Sequence, residues 1–271
     1  MAAAPAITAT LRRHAGRPAV TAAPSTSWPG LTRPSAADGG GLPGHDVDVG
    51  QHVAGISPDR GARAGSVTAL QQPVPELILA SGSSARRALL LAAGLTFAVK
   101  PADIDEAKVK REAREAGTDA PSTALRLAEL KAQAVANDNH ESLVIGADQL
   151  LVCDEVWFDK PVNVESAAAQ LRRLRGRTHE LVTAVACYQG NDRLWHHVVV
   201  PRLAMRDFSD GFLRAYVEKE KDAVTTSVGG YRLEGIGIHL FDAIEGEYAA
   251  ILGLPMLSLL AYLRRRGILM Q

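Results

Sequence analysis

Residues 79–87 read Leu-Ala-Ser-Gly-Ser-Ser-Ala-Arg-Arg, so an apolar run ends in small hydroxylated residues and two guanidinium groups. The run 76–80 is short and apolar before a Ser/Gly break, which predicts a strand. Residues 84–94 carry Leu89 and Leu90 among strong helix formers, which predicts a helix. The loop between them therefore opens a helix. Unpaired backbone N–H groups there, with the hydroxyls of Ser81 and Ser83, offer donors to an anion that Arg86 and Arg87 can neutralise bidentately. Ser83 suits an ordinary helix cap equally well, with the arginines solvated.

Four further polar clusters follow. Asp103, Asp105 and Glu106 put three carboxylates within four residues. They repel one another unless a cation sits among them, which suits Mg²⁺, or they form the acidic first turn of the charged helix 105–116. Asp148 and Gln149 follow a β-rich run and the small residues Gly146 and Ala147, which places Asp148 at a strand end among apolar neighbours. A carboxylate so placed can hold a metal or deprotonate a water. Lys160, in a hairpin-like segment before a helix capped by Asn163, can reach a phosphate or stay solvated. Arg175 and Arg177 flank Gly176 and can grip an anion or complement the dipole of the preceding helix. His179 has no second His or Cys at metal-ligand spacing and reads as structural or surface.

Taken in order, these clusters carry a resemblance to a family. Residues 77–269 resemble the Maf-type nucleoside triphosphate pyrophosphatases, house-cleaning enzymes also called septum formation inhibitors. The matching motifs are Ala80-Ser81-Gly82-Ser83 with Arg86-Arg87, Asp103-Ile104-Asp105-Glu106, Leu127-Ala128 with Lys131-Ala132, Gly146-Ala147-Asp148, Lys160-Pro161, Gly176-Arg177-Thr178-His179, Glu234-Gly235, Ile244-Glu245-Gly246 and Gly253-Leu254-Pro255. Each is loose alone; nine in sequence are specific.

The resemblance implies hydrolysis of a nucleoside triphosphate between its α and β phosphates, giving a nucleoside monophosphate and pyrophosphate with a divalent cation, Mg²⁺ or Mn²⁺. It implies that Asp148 is the proton acceptor, that Ser81, Ser83, Arg86, Arg87, Lys160 and Arg177 bind the triphosphate, and that Glu106 and Asp148 lie near the metal. Three positions, Ala85, Gln149 and Glu234, are implied in substrate choice. Members preferring dTTP and UTP resemble Arg, Thr and Gln there, and the 7-methyl-GTP branch resembles Trp, Gln and Glu. Gln149 and Glu234 place this chain closer to the second branch; Ala85 departs from its aromatic residue and leaves a broader nucleotide range open. The chain also has Ser84 where the family usually has Pro and Asp159 where it usually has Gly, the latter a carboxylate beside Lys160 that could compete with phosphate. The basic residue often found near Thr226 and Ser227 is missing, with Arg232 nearby. The alternative to an enzyme is a nucleotide-binding regulator of septum formation whose catalysis is incidental.

Composition fits that reading. Thirty basic and thirty acidic residues leave no net field to recruit nucleic acid or a membrane, and no apolar run reaches the roughly 18 residues of a membrane helix. Cys153 and Cys187 sit in apolar runs and read as buried thiols. Residues 1–74 contain no Lys and no Glu but eight of the fourteen prolines, so they predict a disordered, low-complexity extension before a domain at 75–271. Residues 1–37 lack acids and carry Arg12, Arg13, Arg17 and Arg33, as an organellar transit peptide does; a start codon placed too early is the preferred reading, because residues 38–64 gain acids and still show no periodic pattern. The expected location is cytoplasmic in the second case. A Gly-x-Gly-x-x-Gly after the first strand is missing, which excludes a Rossmann dinucleotide binder. The element order predicts an α/β domain with a mixed twisted sheet flanked by helices, because the adjacent hairpin strands around Gly190-Asn191 rule out a purely parallel sheet. The resemblance implies an inosine-triphosphatase-like architecture with a central cleft, often a homodimer.

Overall fold

The computed structural model describes residues 70–271. The expected extension lies, for residues 1–69, outside the described residues. Residues 70–74 depart from that expectation. Gln71 bridges Leu269, its side-chain amide brackets the N–H and carbonyl of Thr96 (both 2.8 Å), and the Gln72 N–H donates to the Ile268 carbonyl. An amide that matches a peptide group on both edges fixes the segment to the domain.

Eight strands form one mixed sheet. β1 (Leu77–Leu79) lies parallel between β2 (Ala98–Val99) and β3 (Leu143–Cys153). β3 is antiparallel to β4 (Val156–Phe158) and β5 (Thr178–Gln189). β5 in turn pairs with β6 (Asp192–Val199) and β7 (Arg202–Met205), and β7 with β8 (Phe241–Glu245). The mixed sheet matches the sequence expectation, with three local corrections. Asp148 is not at a strand end: β3 continues through it, and Asp148 stands opposite Ala184 of β5. The stretch 193–205 divides into β6 and β7 at Val200-Pro201, since Pro201 has no N–H for a ladder. The strand expected at 236–242 is a 3₁₀ turn at Ile236–Leu240 followed by β8, because Gly235 and Gly237 break the apolar run.

What ends near Asp148 is the pairing on one edge of β3. β1 pairs with residues 143–145 and β4 with residues 151–153, so residues 146–150 have only β5 beside them. Apolar side chains close the sheet on both sides of this gap. On one face, α3 (Ala120–Ala136) packs Ala124, Leu127, Ala128 and Ala132 against Ile78, Val144, Ala184 and Ala186. Its small side chains let the helix come close, and Gly146 lets it come closer: a Cβ there would lie 2.2 Å from the Ala128 carbonyl oxygen and 2.7 Å from the Ala132 nitrogen. A second cluster joins Leu90 of α1 (Ser84–Ala92) and Leu259 and Leu263 of α6 (Met256–Arg265) to Leu77, Leu79, Ile145 and Val185. A third joins Leu171 and Leu174 of α4 (Val164–Leu174) and Leu213 of α5 (Asp210–Glu220) to Leu151, Phe158 and Leu181. Each fully buried Leu contributes about 1.5–3 kcal/mol, so β3 is clamped at both ends and open in the middle. Among the described residues no helix is long and apolar enough to cross a membrane.

Local rules set the helix starts. Ser83, Asp119 and Asn163 accept backbone N–H groups as N-caps of α1, α3 and α4, and Pro121 sits in the first turn of α3. Asp105 caps α2 (Glu106–Glu115), accepting from the Lys108 N–H at 2.9 Å, while Asp103 is exposed. The acidic triplet is thus a helix start, and only Glu106 turns inward.

His179 of β5 is structural. It is 1% exposed, its Nε2 is 2.7 Å from the Tyr231 hydroxyl, and its ring packs against Tyr231 and Phe241. Burial lowers its pKa from 6.5 to about 4. The unfolded chain therefore takes up this proton first, and stability falls as pH drops from 6.5 towards about 4, by roughly 3 kcal/mol across the window. His179→Gln is expected to flatten the pH dependence of the denaturation midpoint in that window. An unchanged slope contradicts the assignment.

Candidate active site

The open middle of β3 forms the floor of a cleft of about 810 Å³. Strand alternation puts Asp148 on the α3 face and Gln149 on the other. Both line the cleft because it enters through the unpaired edge between β1 and β4. Asp148 is 4% exposed, a depth that a lone carboxylate does not tolerate. Lys131 of α3 answers it. Its Nζ is 2.6 Å from Asp148 Oδ1 and 2.7 Å from Glu106 Oε1 at the start of α2. One ammonium thus joins carboxylates from two elements. Asp148 Oδ2 is buried and has no hydrogen-bond partner among the described residues.

Burial by itself would push the Glu106 carboxyl up, but Lys131, with Lys110 and Arg86 farther off, outweighs it and holds the group below its ordinary value. Arg86 is also buried. Its Nε donates to the Gly253 carbonyl (2.8 Å) and its Nη1 to Ser81 Oγ (3.0 Å). Burial draws its pKa down against the opposing pull of Asp148 and Glu106, so the guanidinium is a desolvated cation beside two anions. Gly253, at φ 104°, makes this seat possible, since a Cβ there would press on Arg86 Nε at 3.2 Å.

The outer wall is cationic. Lys110 and Arg114 of α2 line the cleft and both pair with Asp159, at 3.0 and 3.3 Å. Burial would raise Asp159, and those two cations more than reverse it, leaving its carboxyl below the usual range. Asp159 therefore pairs with α2 and not with Lys160, which is exposed, lines the cleft and makes no ion pair among the described residues. On the inner wall the Gln149 amide nitrogen donates to Thr183 Oγ1 and to the carbonyls of Ala250 and Ile251, at 2.8–3.1 Å. All three partners accept, which fixes the amide orientation and leaves its oxygen as an acceptor.

Of the residues expected at the site, Ser81, Ser83, Ala85, Arg86, Glu106, Asp148, Gln149, Lys160 and Glu234 all line this cleft. Arg87 and Arg177 do not. Arg87 borders a separate depression with Leu91, Val99 and Pro101, and Arg177 is exposed and paired with Asp154. Lys131, Lys110 and Arg114 were given no role by the residue types alone. Two of these placements have a readable signal. Lys131 falls on the apolar stripe Ala124, Leu127, Ala128, Ala132 and Val135, and Arg86 lies one turn before Leu90 on the buried face of α1.

A sequence profile of the family described as Maf-like protein matches residues 76–266. The chain belongs to the Maf family. Among its Maf relatives, proteins named nucleoside triphosphate pyrophosphatase come from Granulibacter bethesdensis (53% identical over 190 residues, 70% of this chain and 96% of the relative) and Gluconobacter oxydans (52% over 194 residues, 71% and 96%). A third, from Paramagnetospirillum magneticum, is 47% identical over 190 residues, 70% of this chain and 98% of the relative.

Removing one partner of a buried ion pair costs about 3–5 kcal/mol, because the other charge is left without compensation. Lys131→Met is expected to lose that much stability in urea denaturation, and the double variant Lys131→Met/Asp148→Asn to recover a large part. Additive losses in the double variant contradict direct coupling of the pair.

Proposed function

We propose that this Maf protein is a nucleoside triphosphate pyrophosphatase that cleaves between the α and β phosphates. The observation that carries the reading is Asp148: one carboxylate oxygen is tied to Lys131, the other is buried without a partner, and both lie in a cleft walled by cations. A water bound at Oδ2 would be oriented and stripped of bulk solvent. In the proposed step its oxygen bonds to the α-phosphorus, its proton passes to Asp148, and the bond to the α–β bridging oxygen breaks. Pyrophosphate leaves with that electron pair. Arg86 and Lys160 neutralise the triphosphate before attack, and the hydroxyls of Ser81 and Ser83 add donors beside the start of α1. Lys131 keeps Asp148 and Glu106 in place side by side.

The donor set also fits a divalent cation. Glu106 is a hard carboxylate ligand beside Asp148, and Mg²⁺ or Mn²⁺ is held by one or two carboxylates together with substrate phosphates. Among the described residues no cluster of three or more His, Cys, Asp or Glu forms a protein-only cage, which agrees with a cation shared with the substrate. When bound, it would neutralise charge on the phosphate oxygens.

For the base, the proposal extends to a preference for guanine nucleotides, 7-methyl-GTP included. The fixed oxygen of Gln149 and the exposed carboxylate of Glu234 are two acceptors, and guanine offers N1–H and its amino group as donors. Ala85 supplies no stacking surface, so the preference depends on those acceptors. Pyrophosphate release with Mg²⁺ or Mn²⁺ across 7-methyl-GTP, GTP, UTP, dTTP and CTP tests both levels. Metal-dependent release is expected, highest with the guanine nucleotides and lowered about 100-fold or more by Asp148→Asn. Equal rates on all five would remove the base preference, and turnover by Asp148→Asn near that of the parent would remove Asp148 as base. No release from any nucleotide would favour the regulator of septum formation.

A further inference from the structure

Lys110 and Arg114, on the outer wall of the cleft, take no part in the hydrolytic step. Glu106, Lys110 and Arg114 recur every fourth residue along α2, so they form one stripe facing the cleft. Glu106, at its inner end, holds Lys131. The two cations beyond it share a single carboxylate from another element: Lys110 Nζ lies 3.0 Å from Asp159 Oδ1 and Arg114 Nη2 lies 3.3 Å from Asp159 Oδ2. The arrangement is built rather than loose. The Lys110 side chain is only 13% exposed, the Arg114 guanidinium lies over the Trp157 ring at 5.3 Å, and Gln170 Nε2 donates to the Asp159 carbonyl at 2.9 Å. Lys160 follows Asp159 directly. Two cations thus meet one carboxylate and grip its separate oxygens as they would grip two oxygens of a phosphate, with Lys160 next to them in the chain.

Charges alternate from the floor outward: Asp148, Lys131, Glu106, Lys110, Asp159, Arg114. With the α-phosphate at Asp148, the rest of a triphosphate must extend along a cationic wall, and α2 supplies one. We propose that Lys110 and Arg114, with Lys160, form the subsite for the β and γ phosphates, and hence for the departing pyrophosphate, and that Asp159 is the resident counter-anion which those phosphates displace. This deepens the pyrophosphatase reading and rests on it for the orientation of the substrate. A pyrophosphate carries several negative charges against the single charge of Asp159, so it wins the exchange when bound. Asp159 then competes for the same cations and favours release of the product.

Calorimetric titration of the full chain with inorganic pyrophosphate, and separately with a nucleoside monophosphate, both with Mg²⁺, tests the subsite. Lys110→Ala and Arg114→Ala are each expected to weaken pyrophosphate binding about 10-fold or more, the loss of one charge-assisted contact, with monophosphate binding changed by less than about 2-fold. Asp159→Asn is expected to act in the opposite direction and tighten pyrophosphate by about 3-fold or more, a gain that a damaged fold cannot produce. Lys108→Ala, which removes an exposed charge from the same helix away from the cleft lining, should move neither ligand. Unchanged pyrophosphate affinity in both Lys110→Ala and Arg114→Ala, or weaker binding in Asp159→Asn, overturns the proposal. The titration needs no turnover. A chain that hydrolyses no nucleotide fails the function proposed above, whereas the response of these variants to pyrophosphate decides the subsite separately.

Discussion

The site depends on one ammonium held between two carboxylates. Lys131 reaches Asp148 and Glu106 because α3 lies against β3 at a separation that only a glycine at 146 permits, so a backbone contact sets a side-chain distance. Without Lys131 the deep carboxylate of Asp148 would face its desolvation unpaired, and Glu106 would have no reason to turn in from α2. The packing of the helix and the electrostatics of the cleft are therefore one arrangement. Its net effect is a fixed, buried carboxylate whose second oxygen has no partner among the described residues.

The interruption in the sheet is the second requirement. A strand buried along eleven residues normally carries an unbroken apolar sequence, and β3 does so except where no neighbour covers its edge. The polar pair Asp148-Gln149 sits at that opening. Apolar cores at both ends clamp β3 across it, while the cations that line the cleft besides Lys131 come from α1, α2 and the loops around it. Arg86 is the exception among those cations, since it is buried and anchored to Ser81 and to the Gly253 carbonyl. It acts as a fixed charge, in contrast to the exposed Lys160.

Much of this was legible in the sequence, and the parts that were not share a cause. Helix starts are local events, so Ser83 and Asn163 announced them correctly. The hairpin at Gly190-Asn191 was equally readable. Asp148 was recognised as special but set at a strand end, because the sequence shows the polar pair and not the partner strands whose departure makes room for it. Arg86 and Arg87 are alike as residue types, and the 3.6-residue period separates them, sending Arg86 with Leu90 inward and Arg87 outward. Arg177 depends on a turn at Asp154 that lies 23 residues away, and no local pattern reports it. Lys131 was visible as a charge on an apolar stripe, yet its partners come from β3 and α2, and only the packed structure names them.

In the proposed mechanism, water activated at Asp148 attacks the α-phosphorus. Turnover of GTP in ¹⁸O-labelled water, with mass spectrometry of both products, tests it directly. Attack at the α-phosphorus is expected to leave a single labelled oxygen in the nucleoside monophosphate and none in the pyrophosphate. Label in the pyrophosphate would place the attack on the β-phosphorus and contradict it.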